Sequence, residues 1–145
     1  MRLGLPIAML LLCCGSSQAD LKRALAEPNL EKRSVLAMDN AAATLKAARA
    51  AYDKGDNEES VKDISEVLES VDLAANSLKE SGKNPRRSDA FKKAEIATRD
   101  LARRIDSFSD DMSYTDRGLL DKLKTRVQEV HEELLLGVME GKKKE

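Results

Sequence analysis

Residues 88–112 read SDAFKKAEIATRDLARRIDSFSDDM, and this stretch decides the fold. Its apolar positions recur at alternating steps of three and four residues, which places them on one face of an α-helix. Ser88 stands just before the first of them and is a suitable N-cap, because its hydroxyl can accept a hydrogen bond from a backbone N–H of the first turn. We therefore predict one long amphipathic helix. Its buried face comprises Phe91, Ala94, Thr98, Leu101, Ile105, Phe108 and Met112.

The same spacing recurs in two stretches that precede this helix. One helix is predicted to begin near Asn29, an N-cap residue, and to end at Gly55. The next is predicted to begin at Asp56 and to end at Gly82. The predicted buried face of the first comprises Met38, Ala41, Leu45, Ala48 and Tyr52, and that of the second comprises Val61, Ile64, Leu68, Val71, Ala75 and Leu78.

A last helix is predicted near the C-terminus. Ser113-x-x-Asp116 has the form of a capping box, which predicts that the helix restarts there, and Gly141 followed by three lysines predicts its end. Residues 21–27 form either a short helix of their own or a frayed extension. The predicted buried face of the last helix comprises Leu120, Leu123, Val127, Val130, Leu134 and Val138.

These patterns predict an all-α fold. No stretch alternates as a strand does, and aromatic residues make up only 3% of the chain. Four long helices joined by short loops favour an antiparallel up-down-up-down four-helix bundle, formed by residues 20–145 as a single domain.

Charge is distributed unevenly among the predicted helices. Residues 56–80 contain eight acidic and two basic residues, a net charge of −6, whereas residues 83–104 contain eight basic and three acidic residues, a net charge of +5. Opposite charges attract, so we expect these two helices to be neighbours in the bundle.

The N-terminus has the features of a secretory signal peptide. Arg2 precedes an apolar run, Leu3 to Cys14, which is too short to span a bilayer, and Ser17-Gln18-Ala19 resembles a cleavage site. We predict that residues 1–19 are removed and that the mature chain, from Asp20 onward, has no integral membrane segment. The predicted location is the periplasm or the extracellular medium of a bacterium.

Both cysteines, Cys13 and Cys14, lie in the predicted leader. The mature chain therefore has no disulfide, and an apolar core must stabilise it. An alternative is a lipoprotein anchored through Cys13 or Cys14, although neither is preceded by the small residue that lipidation prefers.

Two resemblances to known proteins arise. The stretch from Ala47 to Ser60, in which small residues and Tyr52 lead into a Gly55-Asp56 turn, resembles one tetratricopeptide hairpin. No second hairpin follows at the spacing of about 34 residues that such arrays have, so the resemblance implies no peptide-binding groove. The chain as a whole resembles uncharacterised secreted all-helical proteins of bacteria, which implies export and a helical fold but supplies no activity.

The sequence contains no recognised catalytic or metal-binding pattern. It has no G-x-S-x-G, Walker, H-E-x-x-H or Cys–His arrangement. Asp106, Asp110, Asp111 and Asp116 cluster near one predicted turn but lack the EF-hand spacing. We therefore expect a non-enzymatic protein without a cofactor.

An alternative function involves His131, the only histidine. Periplasmic bundles similar to cytochrome b562 hold haem between a methionine near the start of the chain and a histidine in the last helix, a resemblance that would assign Met38 and His131 to the iron. Against it, the predicted core is rich in Leu, Val and Ile without an evident gap for a porphyrin.

The most concentrated group of cations comprises Lys83, Arg86, Arg87, Lys92, Lys93, Arg99, Arg103 and Arg104, and most of its charge is expected to pair with the acidic second helix. Within this group, Arg86, Arg87, Lys92 and Lys93 predict contact with an anion or a partner protein. Nucleic acid is a poor partner for them, because the whole chain has a net charge of −1 and no aromatic residues accompany the arginines.

The leading hypothesis is an exported protein-interaction or structural module, which binds a partner or itself. Four residues widen the apolar faces of the predicted helices and would form an exposed patch if they lie outside the core. They are Val67, Ala74, Leu119 and Leu135.

Overall fold

A computed structural model describes the backbone of residues 16–141 and the side chains of residues 20–141. The described chain is helical throughout and contains no strand, which confirms the predicted fold class. Its elements are α1 (Ser16–Ala26), α2 (Leu30–Asp53), α3 (Asn57–Ser81), α4 (Asp89–Asp111), a 3-10 turn (Arg117–Leu120) and α5 (Asp121–Glu140).

The predicted signal peptide lies largely outside the described residues, as do Cys13, Cys14 and the lysines that follow Gly141. The predicted cleavage junction after Ala19 falls in the first turns of α1. Within residues 16–141, no helix combines the length and the apolar character needed to cross a membrane.

Side-chain caps begin three of the helices where the sequence predicts them. Asn29 Oδ1, Asp56 Oδ1 and Ser88 Oγ each accept a hydrogen bond from the backbone N–H three residues on, at 3.0, 3.1 and 3.4 Å. Gly82 ends α3 in the left-handed conformation, with a φ of 63° that favours glycine. These boundaries were predictable because each depends on one or two local residues.

The predicted capping box at Ser113 and Asp116 is wrong. The helix does not restart there, because α5 begins at Asp121 after the 3-10 turn, and Asp116 makes no side-chain cap bond. The Asp116 carboxylate instead accepts hydrogen bonds from the hydroxyls of Tyr52 and Ser113, at 2.8 and 2.7 Å. A long-range contact with α2 has replaced the local cap.

The five helices include two antiparallel hairpins. In the first, α2 packs along α3, and Ser60 Oγ donates to the Ala48 carbonyl at 2.9 Å where they meet. In the second, α4 packs along α5, and an ion pair of 2.6 Å joins Asp106 to Lys124.

The hairpins stack so that α2 lies beside α4 and α3 lies beside α5. Glu31 contacts Ser88 at one end of the α2–α4 pair and Arg49 pairs with Asp111 at the other, so these two helices are parallel. α3 and α4 scarcely touch. The prediction that the acidic and basic helices are neighbours is therefore wrong, because packing decides the order of helices and exposed charge pairs contribute little.

Most predicted core positions are buried in one cluster shared by α2, α3, α4 and α5. Val61 lies outside it, with 42% of its surface exposed, and four predicted positions are only partly buried against it: Tyr52, Leu68, Ala75 and Val138. Val67 and Ala74, expected as part of an exposed patch, are instead buried because α3 packs against α2 on one side and α5 on the other. Only Leu119 and Leu135 of that predicted patch are exposed.

A second, smaller apolar cluster lies where α1 covers the first hairpin. Ala24 of α1 packs there against Ala37 and Met38 of α2 and Ala74 of α3. Small residues on all three helices let the backbones approach closely. Met38 thus has a packing role in this cluster.

Candidate functional site

An open groove of about 570 Å³ lies between the N-terminal ends of α2 and α4 and the loop that joins α3 to α4. Its lining includes the cations Lys32, Lys83, Arg87 and Lys93, above the apolar side chains of Val35 and Ala90. We call it the basic groove. It contains no aromatic side chain.

The parallel packing of α2 and α4 creates this groove. It brings the N-caps Asn29 and Ser88 to the same end of the molecule, where both lie in the groove lining. Ser88 Oγ donates to Glu31 Oε1 at 2.6 Å and so joins the first turns of the two helices. Since a helix N-terminus carries partial positive charge, both helices add to the positive potential of the groove.

Cations outnumber carboxylates in the lining of the basic groove. Among the side chains of residues 20–141, none forms an ion pair with Lys32, Lys83, Arg87 or Lys93. Two acidic residues also line the groove: Glu31, which accepts the Ser88 hydroxyl, and Asp89, which lies 3.9 Å from Lys92. The groove is therefore suited to an external anion.

The four predicted contact residues separate in the structure. Arg87 and Lys93 lie together in the basic groove. Lys92 is outside its lining and turns toward Asp89, while Arg86 lies against the end of α5. Lys83, a member of the larger predicted group of cations, and Lys32 complete the groove. Lys32 was missed because it is close to Arg87 only through the tertiary packing of α2 on α4.

The C-terminal end of α5 holds the loop that carries Arg87. A Cβ added at Gly137 would lie 3.2 Å from Pro85 Cβ, and one at Gly141 would lie 3.0 Å from Arg86 Cδ and 3.4 Å from Asn84 Oδ1. The two glycines thus allow α5 to pack closely against the loop. This contact fixes one wall of the basic groove.

The opposite end of the molecule is held by a cluster of polar contacts. Tyr52 OH donates to Asp116 Oδ2 at 2.8 Å and accepts from the Ser113 backbone N–H at 3.0 Å. The hydrogen bonds from Ser113 and Tyr52 lower the pKa of Asp116 below its usual value. The Tyr52 ring also makes an edge-on contact with Phe108, with centroids 5.8 Å apart.

This end carries a surplus of exposed acidic groups, which we call the acidic tip. Five exposed carboxylates of this end have no ion-pair partner within the described part of the chain: Asp53, Asp56, Glu58, Asp110 and Asp121. The exposed cations Lys54 and Arg117 lie at the same end and form no ion pair with a described side chain either. Two neighbouring acids are already neutralised, Asp111 by Arg49 and Asp106 by Lys124. Tyr114 projects from the same turn and is 88% exposed.

The structure does not bring His131 and Met38 together. Met38 is buried in the small cluster beneath α1, whereas His131 lies between α4 and α5 with Nδ1 3.2 Å from Thr98 Oγ1 and 3.9 Å from Glu95 Oε1. Of the cavities found among the described residues, none has both in its lining. The two side chains therefore do not fit a haem held between them.

A cluster of buried polar side chains lies between α2 and α3, away from the groove. Asn40 Nδ2 donates to Glu66 Oε1 at 3.0 Å and to Ser70 Oγ at 2.9 Å. Asp63 lies on the same face of α3, and burial together with the charges of Glu59 and Glu66 raises its pKa. We infer that these hydrogen bonds fix the register of α2 against α3, and we do not interpret the cluster as a binding site.

A further cleft of about 360 Å³ lies between α3 and α5, with Leu78, Val130 and Leu134 in its lining. Its one arginine, Arg126, is paired with Asp72 at 2.6 Å and with Glu129 at 3.2 Å. Lys79 and Lys83 also line this cleft and form no ion pair with a described side chain, and Glu133 lies in the same lining.

No protein-family model matches this chain, and no curated protein matches it in sequence. Within residues 16–141, no group of three or more His, Cys, Asp or Glu side chains is arranged to hold a metal ion.

Proposed function

We propose that this protein is an exported, non-enzymatic protein-interaction module that binds acidic segments of a partner protein in the basic groove. Residues 20–145 would form its single domain, with α2, α3, α4 and α5 as a four-helix bundle. The N-terminal run from Leu3 to Cys14 and the Ser17-Gln18-Ala19 stretch support export to the periplasm or the medium.

One observation carries this proposal. Lys32, Lys83, Arg87 and Lys93 converge on one groove without an ion pair to any described side chain, beside two helix N-termini. Like charges held close together repel one another, so an acidic ligand relieves this repulsion when it binds. The same charges accelerate the encounter with an acidic partner.

The proposed binding is of modest strength and depends on salt. An ion pair at an exposed site contributes about 0.2–1 kcal/mol, so even four such pairs support a transient complex rather than a permanent one. The open shape of the groove fits an extended peptide segment better than an enclosed small molecule. Nucleic acid is disfavoured because the groove offers no aromatic surface on which bases stack.

Fluorescence anisotropy with a labelled oligo-glutamate peptide tests this function. We expect the wild-type protein to bind the peptide at low ionic strength and the Arg87→Gln/Lys93→Gln variant to bind roughly two- to thirtyfold more weakly, because it loses two exposed ion pairs. A matched control, Lys46→Gln/Arg99→Gln, removes the same charge from exposed positions outside the groove and should bind as the wild type does.

Two results would contradict the proposal. One is the absence of measurable binding by the wild-type protein at low ionic strength. The other is an equal loss of affinity in the groove variant and the control, since that would show that overall charge, and not the groove, determines binding.

A further inference from the structure

The molecule has two ends of opposite charge that cannot neutralise each other. The basic groove lies at the N-terminal ends of α2 and α4, and the acidic tip lies where both helices end. α2 has 24 residues and therefore extends about 36 Å. Charges at that separation are screened, because the Debye length at physiological ionic strength is about 8 Å.

The two ends carry an excess of opposite charge. The groove lining holds four cations and two carboxylates, Glu31 and Asp89. At the opposite tip, exposed carboxylates without an ion pair outnumber the exposed cations without one, as judged over the described side chains. The excess positive charge of one end can therefore attract the excess negative charge of the other.

Tyr114 adds an apolar contact to this charge complementarity. It is 88% exposed at the acidic tip, in the short connection that follows α4. Exposed tyrosines are frequent anchors at protein interfaces, because the ring buries a large area at a small cost in side-chain entropy. Val35 and Ala90 are the apolar residues of the groove lining, and Val35 is the more exposed of the two.

We propose that the acidic partner of the basic groove is the acidic tip of a second copy of this chain. This inference rests on the proposed function of the groove and names its ligand. Tyr114 inserts toward Val35 and Ala90, while the carboxylates around it pair with Arg87, Lys93 and the two lysines of the groove. The copies then associate head to tail.

This contact is heterologous, because the two surfaces are different and lie at opposite ends of the molecule. Each bound copy still offers one free groove and one free tip, so the association continues as an open chain unless it closes into a ring. A two-fold dimer, by contrast, would use the same surface on both copies and would stop at two.

Sedimentation velocity of the purified protein tests this inference. We expect species larger than the monomer at low ionic strength, whose fraction rises with protein concentration, and the monomer alone at high ionic strength. The groove variant Arg87→Gln/Lys93→Gln and a tip variant, Tyr114→Ser/Asp110→Asn, should each remain monomeric. Circular dichroism verifies that both variants are folded.

An equimolar mixture of the two variants gives the sharpest test. The intact tip of the groove variant can bind the intact groove of the tip variant, and the complex has no further functional end. We therefore expect a two-chain species that appears only in the mixture and does not grow with concentration. The control Lys46→Gln/Arg99→Gln should associate as the wild type does.

The possible failures distinguish this inference from the proposed function. A wild-type protein that remains monomeric at low ionic strength overturns head-to-tail association, and if it still binds oligo-glutamate in the groove the proposed function stands. Self-association that persists in both variants also overturns the inference, since it must then use another surface. A mixture of the two variants that forms no two-chain species would also overturn head-to-tail association.

Discussion

Tyr52 and Asp116 join the two hairpins at the acidic end of the molecule, through a hydrogen bond of 2.8 Å from the tyrosine hydroxyl to Oδ2 of the carboxylate. Tyr52 belongs to α2 and Asp116 to the connection between α4 and α5, so this bond spans the interface between hairpins. The same hydroxyl accepts the Ser113 backbone N–H, which fixes the turn that carries Tyr114.

Tyr52→Phe should therefore destabilise the protein without disturbing its core. The phenylalanine ring keeps the contact with Phe108, while the hydroxyl and its two hydrogen bonds are lost. We expect the free energy of unfolding in urea to fall by about 1 kcal/mol. Tyr114→Phe, at an exposed position, is the control and should leave the unfolding midpoint unchanged; equal stability of both variants would mean that the Tyr52 hydroxyl contributes nothing.

Asp63→Asn should stabilise the protein near neutral pH. Burial and the charges of Glu59 and Glu66 raise the pKa of Asp63 above its usual 3.8, so its charged form is less favourable in the folded than in the unfolded chain. The destabilisation is present above the folded pKa and disappears as the pH falls below 3.8, where both states are protonated. Urea unfolding of both proteins at neutral pH and at a pH below 3.8 measures the difference in their unfolding free energies. A variant less stable than the wild type at neutral pH would contradict the expected stabilisation.

Gly137→Ala should not give the usual gain of an alanine in a helix, which is about 1 kcal/mol over glycine. The new Cβ would lie 3.2 Å from Pro85 Cβ and 3.3 Å from its Cγ, so the loop must move. We expect Pro85→Ala to restore the gain, which a double-mutant cycle of unfolding free energies measures. Additive effects of the two substitutions would show that the contact imposes no constraint.

Alanine substitutions at two serines on the same face of α3 should have opposite effects on the stability of the protein. Ser77 Oγ is the one buried side-chain oxygen or nitrogen among residues 20–141 without a hydrogen-bond partner, so Ser77→Ala should stabilise the protein by about 1 kcal/mol. Ser70 accepts a hydrogen bond from Asn40 at 2.9 Å, so Ser70→Ala should destabilise it by a similar amount. Thermal unfolding of the two variants provides the comparison, and a destabilised Ser77→Ala would contradict the first expectation.

The sequence was informative where local residues decide the structure. Asn29, Asp56 and Ser88 are caps that depend on a hydrogen bond three residues away, and the predicted face of α4 is buried along its whole length. The Ser113 box failed because the hydroxyl of Tyr52, distant in sequence, competes for the same carboxylate. A pattern of residues close in sequence gives no information about a hydrogen-bond donor that lies far away in sequence.

The basic groove could be predicted only in part, because it too depends on contacts between residues that are distant in sequence. Arg87 and Lys93 are close in sequence and were expected to act together, and Lys83 lies in the same loop as Arg87, but Lys32 joins them only because α2 packs parallel to α4. Net charge predicted a different neighbour for α4, and exposed charges are too weak to decide helix order. The acidic tip likewise becomes one surface only when the two hairpin ends meet.

The stacking of the two hairpins also bears on how the chain folds. The most extensive helix contact, between α2 and α3, joins consecutive helices, and α4 likewise packs on α5, the next helix after a short connection. Local topology of this kind lowers the entropy that must be lost before favourable contacts form, and it is associated with folding in microseconds to milliseconds. The contacts within each hairpin thus cost less chain entropy to form than the contacts between the hairpins, which join segments more distant in sequence.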